Sequence, residues 1–276
     1  MADQRNLTFT PAAYSDLFSV WNRYPQAVPY AGGTALFRSQ GREILELPPV
    51  IFSLEKIDEL HRINRSERYI EIGAAVKLNQ ILDLGKIVPV ALRRCLDGIA
   101  GPQLRNTASI GGNLCFREQF LDSAAVLMAL DSQYEIRDAQ TSRWVAASRF
   151  NNAPGLTAVN SKELLSRIRI PLDDWDYSAY KKFSGQSGCC KIIVFLAKTD
   201  KNVLADIRIV CKTDVLVRNK DCESILIGKR LPLNRKIAVD FIESWNDFLS
   251  GIQNVDEISR KELMNFIEAH INNLSE

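Results

Sequence analysis

The chain has 276 residues, of which 46% are hydrophobic and 25% are charged, and its formal net charge is +2. These values are typical of a globular protein with one large domain or two modest ones, and so small a net charge, without a basic stripe, gives no support to nucleic-acid binding. No apolar run approaches the ~20 residues that cross a bilayer and the first residues contain no apolar signal segment, so we expect a cytoplasmic protein without membrane association.

The first predicted helix begins with Thr10 as a capping residue and Pro11 at the first helical position. Its apolar positions recur at helical spacing, and they are Tyr14, Leu17, Trp21 and Tyr24. Pro25 ends this helix, and a short strand over residues 26–30 follows it.

A glycine pair comes directly after that strand, in the sequence YAGGT of residues 30–34. Glycine permits positive φ and has no Cβ, so a ligand can approach the backbone closely. Successive N–H groups in such a turn can converge on one anion. A diphosphate is the ligand that this pattern favours.

The middle of the chain alternates short predicted strands and helices. The predicted strands cover residues 43–47, 50–52 and 69–74, and a short helix or loop covers residues 54–63. Helices are predicted over residues 76–84 and 90–99, and Gly101-Pro102 breaks the second one.

A second glycine pair lies in RNTASIGGN, residues 105–113. Neither glycine pair fits the G-x-G-x-x-G or the G-x-x-x-x-G-K-[ST] pattern, so the Rossmann and P-loop interpretations do not apply. A single glycine pair is also compatible with an ordinary tight turn, since glycine is common in turns. Two such loops could hold a diphosphate from both sides.

The remainder of the chain changes character near residues 173–176. Before this point we predict a helix over residues 122–130, a strand over 133–137 and an element over 163–170 that ends in Pro171. After it come strand-like runs over residues 192–197, 205–211 and 215–217, and then two helices. The last helix is amphipathic, with an apolar face formed by Leu263, Phe266, Ile267, Ile271 and Leu274.

The six cysteines are scattered, without a C-x-x-C pair and without a histidine at zinc-ligand spacing. This usage fits a reducing compartment. We interpret Cys189 and Cys190 as residues on opposite faces of a strand; a metal cluster that includes Cys115 is the alternative. His61 and His270 lie far apart and predict no catalytic histidine pair.

Taken together, these motifs resemble the flavin subunit of molybdenum hydroxylases, the group of xanthine dehydrogenase and carbon monoxide dehydrogenase. The family patterns A-G-G-T-D-L and Q-I-R-N-x-A-T-I-G-G-N-I are similar to AGGTAL at residues 31–36 and QLRNTASIGGNL at residues 103–114. Four further segments extend the resemblance over nearly the whole chain. They are an I-G-A strand end (residues 72–74), an aspartate at Asp122 before a leucine-rich helix, ELLSRIRIP (163–171) and GKRLP (228–232).

The resemblance implies an α+β fold with a two-subdomain, PCMH-like FAD-binding domain over residues 1–172, whose internal boundary lies near residues 53–68. A small α+β C-terminal domain would cover residues 173–276. It also implies FAD as the cofactor, with no metal and no catalytic acid, base or nucleophile in this chain. The implied FAD-binding residues are Ala31, Gly32, Gly33, Thr34, Ala35, Leu36, Ile99, Ser109, Gly112, Asn113, Asp122, Leu165 and Lys181.

For some of these residues a structural role is the alternative. Asp122 could cap its helix, and Lys181 and its neighbour Lys182, either of which could be the family's lysine, could form a solvated surface pair. For Arg105 we prefer a structural salt bridge that supports the second loop.

The resemblance further implies an oxidoreductase subunit that takes electrons from iron–sulfur clusters on a partner chain and passes them through FAD to NAD or another acceptor. Its partners would be an iron–sulfur subunit and a molybdopterin subunit. Three departures stand against this: Ala35 replaces the usual aspartate, residues 117–119 replace an A-S-P turn, and residues 185–191 lack the expected arginine and aspartate. The alternative is a non-catalytic homologue that serves as an assembly or scaffold subunit with weak or no FAD binding.

Overall fold

A computed structural model of the chain describes residues 6–36, 47–116, 121–153, 156–183, 191–253 and 255–275. Two units share these residues. The first unit consists of Met1–Val88, Leu96–Leu121 and Asp131–Leu172, and the second of Pro89–Cys95, Asp122–Leu130 and Asp173–Glu276. Most of the predicted strand at 43–47, the departures at 117–119 and 185–190, and the pair Cys189-Cys190 lie outside the described residues.

A small parallel sheet opens the first unit. Its strands β1 (Leu7–Phe9), β2 (Val28–Tyr30) and β3 (Val50–Ser53) are arranged in the order β1-β3-β2. Parallel neighbours need crossover connections, and helix α1 (Tyr14–Arg23) connects β1 to β2. The buried edge of Trp21 packs against Phe52 with a centroid distance of 5.0 Å, which fixes α1 on this sheet.

The predicted start of α1 is wrong. The helix begins at Tyr14 after Ala13, and no side chain caps it. Residues 12 and 13 form bends, and the extended Ala13 (φ −141°, ψ 163°) directly precedes the helix, so Thr10 and Pro11 lie before it.

A five-stranded antiparallel sheet forms the rest of the first unit, in the order β4-β5-β10-β6-β7. A two-stranded ladder of β8 and β9 accompanies it. The strands are β4 (Ile63–Arg65), β5 (Tyr69–Gly73), β6 (Gln133–Arg137), β7 (Ser142–Ala146), β8 (Asn151–Ala153), β9 (Leu156–Thr157) and β10 (Leu164–Pro171). One face of this sheet is apolar and buried, through Ile70, Ile72, Tyr134, Ile136, Ile168 and Ile170.

Short helices connect these strands, and the predicted helices over residues 76–84 and 90–99 are confirmed with narrower bounds. The helices between α1 and β8 are α2 (Leu78–Leu82), α3 (Val90–Asp97), α4 (Pro102–Arg105), α5 (Ile110–Leu114), α6 (Asp122–Ala129) and α7 (Ala147–Phe150). Two 3₁₀ turns, Asp58–His61 and Gly85–Ile87, lie among them. Residues 90–95 of α3 and the whole of α6 belong to the second unit.

The opposite face of the five-stranded sheet carries a charge network centred on Glu71 of β5. Arg167 and Arg169 of β10 approach its two carboxylate oxygens at 2.8 and 2.7 Å. The Arg169 guanidinium also lies 4.1 Å from the ring of Trp144 and 4.7 Å from that of Tyr69. Burial acts to raise the pKa of Glu71, but the hydrogen bonds and charges of the two arginines outweigh it and hold the pKa below its usual range.

We expect Glu71→Gln to lower the free energy of unfolding by about 1–2 kcal/mol at pH 7, because two partly exposed arginines lose their shared anion. Since the folded-state pKa of Glu71 is lowered, its stabilisation is fully present above the unfolded pKa of about 4.3 and is lost as the pH falls through the folded pKa. Urea unfolding between pH 7 and pH 3 should therefore show that the difference in the free energy of unfolding between wild type and Glu71→Gln becomes smaller as the pH falls. The exposed Glu67, changed to Gln, is the control, and a difference that does not vary with pH would contradict this assignment.

The second unit contains a four-stranded antiparallel sheet in the order β11-β12-β13-β14. Its strands are β11 (Tyr177–Phe183), β12 (Lys191–Asp200), β13 (Val203–Lys212) and β14 (Leu216–Arg218). The three predicted strand-like runs are thereby confirmed. Three helices follow: α8 (Lys220–Leu226), α9 (Arg235–Ser250) and α10 (Glu257–Asn273).

The core of this unit lies between the sheet and its helices. Trp245 and Phe241 of α9 are fully buried in it beside Phe195 of β12. The predicted apolar face of the last helix is confirmed, since Leu263, Ile267, Ile271 and Leu274 are buried and Phe266 packs against them. The fully buried helix α6 contacts β12 and β13. The predicted α+β class is therefore confirmed, and within the described part of the chain no helix combines the length and apolar character needed to span a membrane.

Candidate functional site

The two glycine loops meet in the first unit. An ideal Cβ built on Gly32 would lie 1.9 Å from the carbonyl oxygen of Thr107 and 3.3 Å from the Cα of Ala108. Only a residue without a side chain therefore lets the first loop lie against the backbone of the second. The spatial pairing of the two motifs depends directly on this glycine.

A cavity of about 860 Å³ opens beside this contact. Its volume falls in the range of cofactor and ligand sites. Nine of the thirteen residues predicted to bind the cofactor line it, namely Ala31, Gly32, Gly33, Thr34, Ala35, Leu36, Ser109, Gly112 and Leu165. The geometry thus brings the core of both motifs to one concave surface.

The first loop carries hydrogen-bond donors beside this cavity. It follows β2 directly, and Gly33 takes a positive φ of +68° that favours glycine. Residues 34–36 continue as one helical turn. None of the described residues accepts a hydrogen bond from the backbone N–H groups of Gly32, Gly33 and Thr34. Three successive N–H groups at a turn of this kind form an anion-binding concavity.

The second loop uses its backbone donors within the protein, which differs from the expectation that both loops offer N–H groups. The Ile110 N–H donates to the Val76 carbonyl at 3.0 Å and the Gly111 N–H to the Ala74 carbonyl at 2.8 Å. The Gly112 N–H donates to Ser109 Oγ at 3.2 Å. These residues begin α5, and a helix start leaves N–H groups that need partners; residues 74–76 and the Ser109 cap supply them.

The two glycines of the second loop have different roles. A Cβ on Gly111 would lie 2.7 Å from both the Cβ and the carbonyl oxygen of Ala74, so this glycine is required for packing. A Cβ on Gly112 would meet Ser109 Oγ at 3.0 Å and no other atom closer than ordinary contact. Gly112 lines the cavity, so a side chain there would project into ligand space.

Arg105 has a structural role before the second loop, and this role uses three backbone carbonyls in addition to the predicted salt bridge. Its guanidinium Nη1 donates to the carbonyls of Asp97, Ile99 and Ala100 at 2.7, 3.1 and 2.8 Å. Nε donates to Asn79 Oδ1 at 3.0 Å, and Nη2 lies 3.4 Å from the Asp97 carboxylate. Because the residue is only 8% exposed, this role is structural.

Four predicted site residues do not line this cavity. Ile99 is half-buried and offers its carbonyl to Arg105, and Asn113 belongs to α5, where its N–H donates to the Ser109 carbonyl. Asp122 and Lys181 belong to the second unit.

In the second unit the partner of Asp122 is Lys182. The Lys182 ammonium lies 2.5 Å from one carboxylate oxygen of the buried Asp122, and Lys212 lies 3.9 Å from the other. The exposed Lys181 instead lies over the ring of Phe183 at 5.7 Å. Of the two neighbouring lysines, the one that faces the aspartate is thus Lys182.

Several cavity residues have no counterpart in the sequence prediction. They are aromatic residues near the glycine loops and a polar turn before β10, and they include Trp21, Tyr30, Phe116, Asn160, Ser161 and Lys162. The turn carries a recognisable signal, because Asn and Ser favour turns, and Lys162 has a positive φ of 61°. The aromatic side chains carry no such signal, since their position depends on the fold. Among the described residues, no group of three metal-ligating side chains is placed to hold a metal ion, so a cluster at Cys115 has no support there.

Comparison with known proteins gives consistent results. A family model described as "FAD binding domain in molybdopterin dehydrogenase" matches residues 4–173. The medium subunit of nicotine 6-hydroxylase from Paenarthrobacter nicotinovorans is 25% identical over 235 residues, which cover 83% of this chain and 82% of that subunit. The glyceraldehyde dehydrogenase medium chain of Sulfolobus acidocaldarius is 28% identical over 209 residues, 74% of each chain.

Solved structures share the fold. Quinoline 2-oxidoreductase from Pseudomonas putida 86 matches with a TM-score of 0.80 at 20% identity, over 98% of this chain and 95% of that chain. The Cu,Mo-CO dehydrogenase matches with a TM-score of 0.78 at 20% identity, over 98% and 96%. The family model spans well over half of the chain and includes both glycine loops, which the structure brings together at one cavity. This chain therefore belongs to the family of FAD-binding domains of molybdopterin dehydrogenases.

Proposed function

We propose that this chain is the flavin subunit of a molybdenum-containing hydroxylase or dehydrogenase, and that it passes electrons from iron–sulfur clusters on a partner chain through FAD to NAD or another acceptor. FAD as the cofactor and an oxidoreductase subunit as the class follow from family membership. The observation that carries the proposal is the first glycine turn, whose residues line the cavity shared by both motifs and whose three N–H groups have no acceptor among the residues that the structure describes.

The residues of the first unit fit such a cofactor. The N–H groups of Gly32, Gly33 and Thr34 would hold the diphosphate, because an anion needs donors and charge-assisted hydrogen bonds are the strong ones. Gly112 leaves room beside them, and the Ser109 hydroxyl holds the turn that carries Gly112. Ala31, Ala35, Leu36 and Leu165 give the cavity an apolar wall suited to ring systems.

When bound, FAD supplies the redox chemistry, accepting electrons singly and releasing them in pairs, while the protein binds and orients it. Ile99, Asn113, Asp122 and Lys181 remain proposed FAD-binding residues on the strength of the family resemblance alone. For the lysine, the ion pair with Asp122 favours Lys182 over Lys181.

The proposal includes partners, domains and location. The relatives from Paenarthrobacter and Sulfolobus are named as a medium subunit and a medium chain, which supports an iron–sulfur subunit and a molybdopterin subunit as partners here. The family match over residues 4–173 supports an FAD-binding domain over 1–172, followed by a C-terminal domain over 173–276. The buried thiols of Cys95, Cys211 and Cys222 support a reducing, cytoplasmic location.

One observation favours a second candidate, a scaffold subunit with weak or no FAD binding. Ala35 lines the cavity where the family pattern has an aspartate, so the carboxylate of that position is missing. A purified chain separates the two functions. The flavin subunit is expected to be yellow or to take up one FAD, with absorption that dithionite bleaches. A colourless chain that refuses added FAD but still co-purifies with its partner subunits would identify the scaffold.

Gly112→Val tests the placement of the cofactor. We expect the variant to fold and to lose FAD, because Gly112 lines the cavity and its added Cβ would meet only Ser109 Oγ closely. FAD content after reconstitution is the measurement, and circular dichroism checks the fold. Gly251→Val is the matched control, since a Cβ there makes only ordinary contacts after α9. Normal FAD content in a well-folded Gly112→Val chain would refute the assignment of the second loop.

A further inference from the structure

The side chain of Tyr30 lies across the first glycine turn. An ideal Cβ on Gly33 would fall 2.6 Å from the Tyr30 hydroxyl oxygen and 2.7 and 2.8 Å from Cε2 and Cζ of its ring. The edge of the phenol therefore fills the space that a side chain at position 33 would need. The positive φ favours glycine at position 33, and any side chain there would have to displace the Tyr30 ring.

The backbone of Tyr30 is held firmly. It is the last residue of β2 and pairs with Ser53 of β3, and its carbonyl accepts a hydrogen bond from the Leu54 N–H at 2.8 Å. The residue is half-buried and lines the cavity. Strand pairing on one side and the turn on the other thus determine where the phenol lies.

The hydroxyl of Tyr30 has no hydrogen-bond partner among the described residues. The neighbouring N–H groups of Gly32, Gly33 and Thr34 share this property. A phenol hydroxyl can donate one hydrogen bond, so one turn gathers four donors that have no acceptor within the described part of the chain. Polar groups in such a position are normally satisfied, and an anionic ligand supplies oxygens that do so.

We propose that the Tyr30 hydroxyl donates a hydrogen bond to the diphosphate of FAD, as the side-chain member of the donor set formed by the first glycine turn. The ring of Tyr30 would at the same time cover Gly33 and exclude water from the turn. This inference rests on the proposed function, in which the cavity of the first unit holds the diphosphate.

The test compares Tyr30→Phe with wild type in the full chain freed of flavin. Phenylalanine keeps the ring against Gly33 and removes only the hydroxyl. Titrations with FAD, ADP and adenosine should show the Kd of FAD and of ADP raised about tenfold or more, as expected for a hydrogen bond to a charged group, with the Kd of adenosine unchanged. Tyr24→Phe is the matched control, because Tyr24 packs on Phe9 at 5.1 Å and is not a cavity-lining residue.

A second measurement, phosphorus NMR, reports on the environment of the bound diphosphate. At saturating FAD, the phosphorus NMR resonances of the bound diphosphate should differ between wild type and Tyr30→Phe. Three results would each overturn the hydroxyl's role while leaving the proposed function standing. Tyr30→Phe could bind FAD and ADP as tightly as wild type, its affinity for adenosine could fall as much as that for FAD, or its phosphorus resonances could match those of wild type. A wild-type chain that binds neither FAD nor ADP would overturn both.

Discussion

Gly32→Ala is expected to give a chain that retains almost no FAD and unfolds more easily, by about 1–3 kcal/mol. The added Cβ would lie 1.9 Å from the Thr107 carbonyl oxygen, and this atom belongs to the backbone and cannot rotate away. The two loops must therefore separate, and the three N–H groups of the first loop move from their position beside the second. FAD content after reconstitution and urea unfolding measure the two effects.

The comparison with Gly112→Ala sharpens this expectation. A Cβ on Gly112 meets only the Ser109 hydroxyl, at 3.0 Å, which can adjust, so this variant should keep most of its stability and show a weaker affinity for FAD. Gly251→Ala, where the new Cβ lies 3.5 Å from its nearest neighbour, should change neither property. A Gly32→Ala chain with wild-type FAD content would show that the contact between the loops does not shape the site.

Arg105→Lys is expected to lower the free energy of unfolding by about 2–4 kcal/mol. The guanidinium satisfies the carbonyls of Asp97, Ile99 and Ala100, and lysine lacks the fork of donors that reaches all three together with Asn79. The ion pair with Asp97 contributes little, because the Asp97 side chain is 74% exposed. Urea unfolding at neutral pH gives the stability difference.

The same variant should also bind FAD more weakly, because Arg105 holds the chain that leads into the second loop. Asp97→Asn separates the contribution of the ion pair from that of the carbonyl hydrogen bonds. We expect it to change the free energy of unfolding by less than about 1 kcal/mol. Arg149→Lys, on the exposed side of α7, is the control for a lysine replacement. If Asp97→Asn were as damaging as Arg105→Lys, the salt bridge and not the carbonyl cluster would be the support.

The larger elements of the fold could be predicted from periodicity. The apolar face of α10 and the long alternating strands β12 and β13 are confirmed because hydrophobic burial dominates in these segments. Capping residues predicted the ends of helices less well. Thr10 and Pro11 form a good helix start by composition, but residues 12 and 13 form bends and the helix begins only at Tyr14.

Glu71 shows a second limit of pattern reasoning. The alternation of apolar and polar residues in β5 is typical of a half-buried strand, yet the polar Glu71 is only 8% exposed. Arg167 and Arg169 arrive from β10, nearly a hundred residues later in the chain, and cover it. Such a network depends on strand order, and the spacing of residues within β5 contains no information about it.

The sequence by itself determined the chemistry available to the site: two glycine pairs, a hydroxyl residue beside each, and an arginine before the second. Local residue types suffice for this, because glycine's conformational freedom and the donor capacity of N–H groups are properties of short segments. Only the tertiary structure decided which donors remain available. The carbonyls of residues 74 and 76 accept hydrogen bonds from the second loop. The N–H groups of the first loop, with the Tyr30 hydroxyl nearby, belong to cavity-lining residues and have no acceptor among the described residues. Hydrogen bonds between segments distant in sequence make that distinction, so no local pattern could have revealed it.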